Sequence, residues 1–180
     1  MRQGIRTGLP FDYRSGHPGR RRGVKAGPYL APFLLAALLT AGCMPAPATS
    51  NTPESGSPMP SSIVGPYLKI QTALYNDSVD TVRANAGNIA TAATALGSPA
   101  FKIDTAATQL TSAGELPDAR EKFERLSEAI ITYMDGLHLT PPEGVTIAQC
   151  ETTRKQWLQE GDSIANPYDG LSAPACGTVR

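Results

Sequence analysis

Residues 117–139 read Pro-Asp-Ala-Arg-Glu-Lys-Phe-Glu-Arg-Leu-Ser-Glu-Ala-Ile-Ile-Thr-Tyr-Met-Asp-Gly-Leu-His-Leu. Ala119, Phe123, Leu126, Ile130, Tyr133 and Leu137 recur at steps of four and three, which traces one face of an α-helix. Pro117 suits the first turn, where its missing N–H costs nothing. Asp118 and Glu121 sit where the helix dipole favours acids. Asp118 can pair with Lys122, and Glu121 with Arg125, across one turn. Pro141-Pro142 forbids continuation. Met134, beside the stripe, suits gap-filling.

Three shorter helical patterns precede this one. Ile63, Tyr67, Ile70 and Leu74 form the first stripe, with Pro66 tolerable only near its start. Asn76-Asp77-Ser78 is a break and a cap. Val79, Val82, Ala86, Ile89, Ala93 and Leu96 form the second stripe, stopped by Gly97. Ser98-Pro99 opens the third, whose stripe is Ile103, Ala106, Leu110 and Ala113, ended by Gly114. Four amphipathic segments with short connections predict an all-α fold, a small antiparallel helical bundle. Residues 143–180 differ in kind. Val145-Thr146-Ile147-Ala148 suits a short extended segment, Arg154 to Gln159 a helical turn around Trp157-Leu158, and the remainder is rich in turn residues. The expectation is an irregular cap on the bundle, the two making one domain over 63–180.

The front of the chain has a different logic. The basic cluster Arg20-Arg21-Arg22 and Lys25 precedes an apolar run over 29–39, then Leu39-Thr40-Ala41-Gly42-Cys43. Basic, apolar, small is the order of an export signal. The run is shorter than the roughly 20 residues a membrane span needs. The last five residues resemble the lipobox of bacterial lipoproteins. That resemblance implies a signal peptide over 1–42, cleavage before Cys43 and diacylglycerol on its sulfur. Met44 rather than Asp after the cysteine points to the outer membrane, facing the periplasm. An ordinary secretory signal cut nearby, or an uncleaved anchor, stands as the alternative. The long leader also leaves room for a start at Val24, whereas the residues after Arg20-Arg21 do not fit a twin-arginine signal. Residues 43–62 are dominated by Pro, Ser and Thr without an apolar period and are expected to be a disordered tether. Met44 and Met59 fall in it and make no site.

Removing the leader changes the charge. Of sixteen Lys and Arg, seven lie in residues 1–42, with one acid, Asp12. Nine basic and fifteen acidic residues remain, a formal charge of −6 against zero for the whole chain. An acidic domain is a poor partner for nucleic acid, and the membrane contact expected is through the lipid.

The C-terminal half carries a second resemblance. Its residues are Ala73-Leu74; Arg120, Phe123, Leu126 and Ser127; Cys150; Trp157-Leu158; Asn166-Pro167-Tyr168; Gly170; and Cys176-Gly177. Over about 67–180 this pattern resembles domain-of-unknown-function family 3347. That family occurs in bacterial envelope lipoproteins and as a C-terminal domain of periplasmic adaptor subunits of copper and silver efflux pumps. Two departures matter. Glu151-Thr152 replaces the family's Pro-Met, and Ala173 stands at its later methionine. Both thioether positions suited to monovalent copper are gone.

With Cys43 lipidated, Cys150 and Cys176 are an even pair in an exported chain. One reading is a disulfide, closing a loop of about 27 residues worth about 3 kcal/mol in the chain-entropy account. The other is a two-thiolate site for monovalent copper or silver, since soft ligands select soft metals. Asp135 and His138 could offer two ligands from one helix face, but no second histidine supports them; an exposed pair at a helix end is the plainer reading. Trp157, Asn166, Pro167, Tyr168 and Gly170 are expected to be structural anchors pinning the tail, with the Tyr168 hydroxyl bonded to backbone. Carboxylates such as Glu124 and Glu128 are expected to be solvated. No phosphate loop or nucleophile motif is present, so no enzyme is expected. The expected function is a non-catalytic envelope lipoprotein with a binding or scaffold domain and no cofactor. The alternative is a periplasmic metal-binding accessory working with an envelope efflux or metal-handling protein.

Overall fold

The computed structural model describes residues 51–171 and 176–180, all within the unit spanning residues 46–180. Four helices come first: α1 Ser61–Tyr75, α2 Val82–Leu96, α3 Phe101–Leu110 and α4 Leu116–Leu137. Three strands follow: β1 Val145–Gln149, β2 Gln156–Glu160 and β3 Thr178–Val179. The sheet order is β2-β1-β3, with both pairings antiparallel. Consecutive helices pack on one another, and β2 lies against α1 and α4.

The helical stripes are buried as their spacing requires. Tyr67, Ile70, Leu74, Ile89, Ile103, Leu110, Phe123, Leu126 and Ile130 are fully buried in one core. The third helix opens with a 3-10 turn, Ser98–Ala100, before α3. Helix α2 starts at Val82 rather than Val79, because Thr81 takes a left-handed conformation at φ 66°. Both anticipated ion pairs of α4 form, Lys122 with Asp118 at 2.9 Å and Arg125 with Glu121 at 2.5 Å. Arg125–Glu121 is an exposed pair of the kind that contributes little to stability, while Lys122–Asp118 is part-buried.

The all-α expectation is overturned by the sheet. Val145 and Ile147 were recognisable as extended, but Arg154 to Gln159 is not a helical turn. Arg154 sits at φ 64°, closing the loop after Cys150, and β2 follows. Trp157, Leu158 and Gln159 are all buried, so β2 shows no alternation of apolar and polar residues. Its two faces serve different clusters. Leu158 joins the main core, while Trp157 packs with Ala148 and Cys150. A strand buried on both sides gives a continuous run that periodicity alone cannot tell from helix.

The expected tether is also shorter than 43–62. Met59 is buried in the core. Gly56 N–H donates to His138 O at 3.0 Å, and Met59 and Thr140 bond the same joint through Met59 N–H to Thr140 O and Thr140 N–H to Ser57 O. The Ser61 start of α1 is therefore preceded by a segment docked on the end of α4. Composition hid this because the docking uses backbone groups and one methionine.

Truncating Phe123 or Leu126 to Ala removes fully buried side chains and is expected to cost about 2–5 kcal/mol. Glu128→Ala is expected to stay within about 0.5 kcal/mol. Denaturant unfolding followed by circular dichroism measures both; equal tolerance at the three positions would contradict the core assignment.

Candidate functional site

The motif residues of the C-terminal third converge where the tail meets α1 and α4. Cys150 follows β1, and the Arg154 N–H donates to its carbonyl at 2.8 Å while its own N–H donates to Lys155 O at 3.0 Å. This loop presents Cys150 to the returning chain, and a disulfide joins it to Cys176 with Cα atoms 5.1 Å apart. Cys150 is buried and Cys176 half-buried, beside Ala148, Trp157, Ile164 and Tyr168.

Four aromatic rings run from the bundle into this cluster. Tyr67 and Phe123 lie 4.8 Å apart, Phe123 and Tyr168 6.1 Å, and Tyr168 meets Trp157 edge-on at 5.9 Å. Their polar ends are spoken for. The Tyr67 hydroxyl is 2.6 Å from Ser127 Oγ and accepts the Leu158 N–H at 3.2 Å. The Tyr168 hydroxyl donates to Gln156 O at 2.7 Å. Burial pushes both phenols well above their ordinary range. The Tyr168 bond to Gln156 O needs a neutral phenol, since a phenolate could not donate. Lys155 Nζ stands 5.0 Å from the Tyr168 ring centre and pairs with Glu124 at 2.8 Å, so Glu124 is not merely solvated as expected.

Two amides hold the loops. Asn166 Nδ2 donates to Asp169 Oδ2 and Cys176 O, both at 2.9 Å, and its Oδ1 accepts the Tyr168 N–H at 2.9 Å. This is the local turn that Asn makes well. Gln159 Oε1 accepts from Trp157 Nε1 at 2.9 Å and Ala165 N–H at 3.2 Å, and its Nε2 donates to Ser163 O at 2.9 Å. Gln71 Nε2 on α1 donates to Ala165 O at 2.6 Å.

Arg120 clasps the other side. Its Nε donates to Pro167 O at 2.9 Å and its Nη2 to Leu74 O at 3.0 Å and Asp77 Oδ1 at 2.6 Å. One guanidinium therefore joins the C-terminus of α1, helix α4 and the tail. Gly170 closes over this clasp at φ 69°, and a Cβ there would fall on Arg120 Nη2 and Asp77 Oδ1. Gly177 is pressed on Trp157, whose Cη2 would lie 2.8 Å from an added Cβ.

Trp157, Asn166, Pro167, Tyr168 and Gly170 are thus brought together with Cys150 and Cys176, as anchors of the joint. Tyr67, Gln71, Asp77, Lys155 and Gln159 belong to it as well; the sequence marks Tyr67 only as a core position and Asp77 only as part of a cap, and does not mark the other three. Their types are common and three of them have partners 43 to 94 residues away, so no local signal marks these bonds. His138 ends α4 in a left-handed conformation at φ 54° and is exposed, with Asp135 on the surface nearby. Among the described residues no group of three or more His, Cys, Asp or Glu could hold a metal ion. Ala148, Trp157, Ile164 and Tyr168 pack beside the cysteine pair and Asn166 reaches the Cys176 carbonyl, and none of these supplies the thioether or imidazole that a soft metal would take. Cys43, Met44 and Ala173 lie outside the described residues. No described helix is long and apolar enough to cross a membrane.

Surface grooves lie elsewhere. One, about 830 Å³, runs along α1 and α2 past Leu68, Ala73 and Thr81. Another, about 320 Å³, lies between α3 and α4 beside Phe101 and Arg125. No protein-family model, curated protein or solved structure matches this chain.

Gly170 and Gly144 offer a paired test, because both hold a positive φ but only Gly170 is crowded. Gly144→Ala is expected to cost about 1 kcal/mol, the backbone penalty alone. Gly170→Ala must also displace the Arg120–Asp77 pair and is expected to cost clearly more in equilibrium unfolding. Equal losses would mean that the clasp does not depend on the missing side chain.

Proposed function

We propose that this chain is a non-catalytic, lipid-anchored protein of the bacterial envelope, with a disulfide-closed domain that acts as a binding or scaffold module. The observation that carries the reading is the Cys150–Cys176 disulfide. Such a bond persists in exported proteins and is rare where thiols are kept reduced, which agrees with the signal and lipobox pattern ending at Cys43. Residues that resemble family 3347 are engaged with one another: Arg120 with Leu74 and Pro167, Asn166 with Cys176, and Cys150 with Cys176. A motif consumed by internal bonds supports a structural module rather than a catalytic one. Membership of that family, an outer-membrane address facing the periplasm and a partner in efflux or metal handling belong to the same proposal.

A role as a copper or silver accessory ranks second. It rests on the family resemblance and on two sulfurs that would remain neighbours if reduced. Thr152 and Ala173, which stand where the resembling pattern has methionines, weigh against it.

Mass spectrometry and thiol labelling of protein isolated from the envelope test the proposal together. The expected result is a mature N-terminus at Cys43 carrying diacylglycerol, and no labelling of Cys150 or Cys176 before reduction. Two freely reactive thiols, with one-to-one binding of monovalent copper that is lost on Cys150→Ser, would favour the metal accessory. An unmodified Cys43 would remove the lipoprotein reading.

A further inference from the structure

Phe101 is the most exposed large apolar side chain among the described residues, with 68 % of its surface open to solvent. It stands at the first position of α3, next to the exposed Lys102. That position is at a particular end of the helical layer. The C-terminus of α2 lies five residues earlier, and Thr52 Oγ1 donates to Leu96 O there at 3.3 Å. Asn51 shares a surface groove with Ser62, Ala95 and Leu96. The chain therefore enters the domain beside the N-terminus of α1, the C-terminus of α2 and the start of α3.

Only eight residue steps separate Cys43 from Asn51. Fully extended they reach about 28 Å, and the headgroup layer takes up about 5–7 Å of that. A domain of this size is about 35 Å across. The leash is shorter than the domain, because Gly56, Ser57 and Met59 are bonded to His138 and Thr140 just past α4 and are unavailable as spacer.

We infer that the end of the helical layer bearing Phe101 and Lys102 is seated on the bilayer that holds the lipidated Cys43. The inference rests on the lipid-anchor reading and adds to it an orientation and a contact. Phe101 enters the boundary between headgroups and acyl chains, and the ammonium of Lys102 stays at the level of the phosphates, the arrangement interfacial segments use. Charge does not drive the contact, since residues 43–180 carry a formal charge of −6. The two acyl chains on the cysteine supply the anchoring; Phe101 chooses which surface of the domain faces the lipid. The opposite end, where Leu171 follows Gly170 beyond the C-terminus of α1, then faces away from the membrane. Fifteen helical residues of α1 lie between the two ends, a separation of about 22 Å.

Full-length lipidated protein in phosphatidylcholine vesicles, with plain or brominated acyl chains, reads this directly. Bromine quenches only an indole that reaches the lipid. Trp157 is completely buried and gives the same background throughout. Phe101→Trp is expected to lose emission on brominated lipid and to shift to the blue, while Leu171→Trp and the parent protein do neither. Unquenched Phe101→Trp, with diacylglycerol confirmed on Cys43, would overturn the seating and leave the lipid anchor standing. Quenching of Leu171→Trp instead would overturn the orientation. A mature protein without lipid on Cys43 would overturn the anchor and this inference with it.

Discussion

The outer edge of β2 is buried against helices, and its backbone polar groups must find partners there. Strand β2 has β1 on one side and no strand on the other. Gln156 and Leu158, two residues apart, point backbone groups toward that unpaired side. Two tyrosine hydroxyls meet them: Tyr67 accepts the Leu158 N–H, and Tyr168 donates to Gln156 O. A buried strand edge without partners costs about 1–3 kcal/mol for each unsatisfied group. The rest of the joint places those two hydroxyls. Ser127 orients Tyr67 from α4, and the Asn166 turn with the Cys150–Cys176 bond holds the segment bearing Tyr168.

This arrangement explains why the last third folds at all. Its own cluster is small, with Ala148, Cys150 and Trp157 as its buried members. A sheet of three short strands has too little apolar surface to offset its ordering entropy alone. It borrows the bundle's core through Leu158, and it gains rigidity from the disulfide and from the Arg120 clasp on Pro167 and Leu74. Polar side chains buried with full hydrogen bonding, as Gln159 and Asn166 are, specify one geometry for the loops between.

The helices were legible because each buries one face, and a one-faced helix leaves a period of three to four in its sequence. Phe123, Leu126 and Ile130 could be assigned inward on that basis. The sheet was not legible, because Trp157, Leu158 and Gln159 are buried on both faces and leave no period of two. Met59 was misplaced for a related reason. The Pro-rich segment around it docks through backbone bonds to His138 and Thr140, which composition does not record. The anchors Asn166, Tyr168 and Gly170 could be named from their types in a turn-rich tail. The bonds of Gln71 to Ala165, Asp77 to Arg120 and Gln159 to the Trp157 indole could not be, since nothing local marks them.

Hydrogen exchange of the β2 amides tests the account most directly, comparing the parent protein with Tyr67→Phe and Tyr168→Phe while the disulfide is intact. Each substitution keeps the ring and removes only the hydroxyl. The account predicts loss of protection across residues 156–160, with the buried amides of α2 and α3 protected as before. Unchanged protection in β2, or an even loss throughout the domain, would contradict the claim that these two hydroxyls hold the sheet to the bundle.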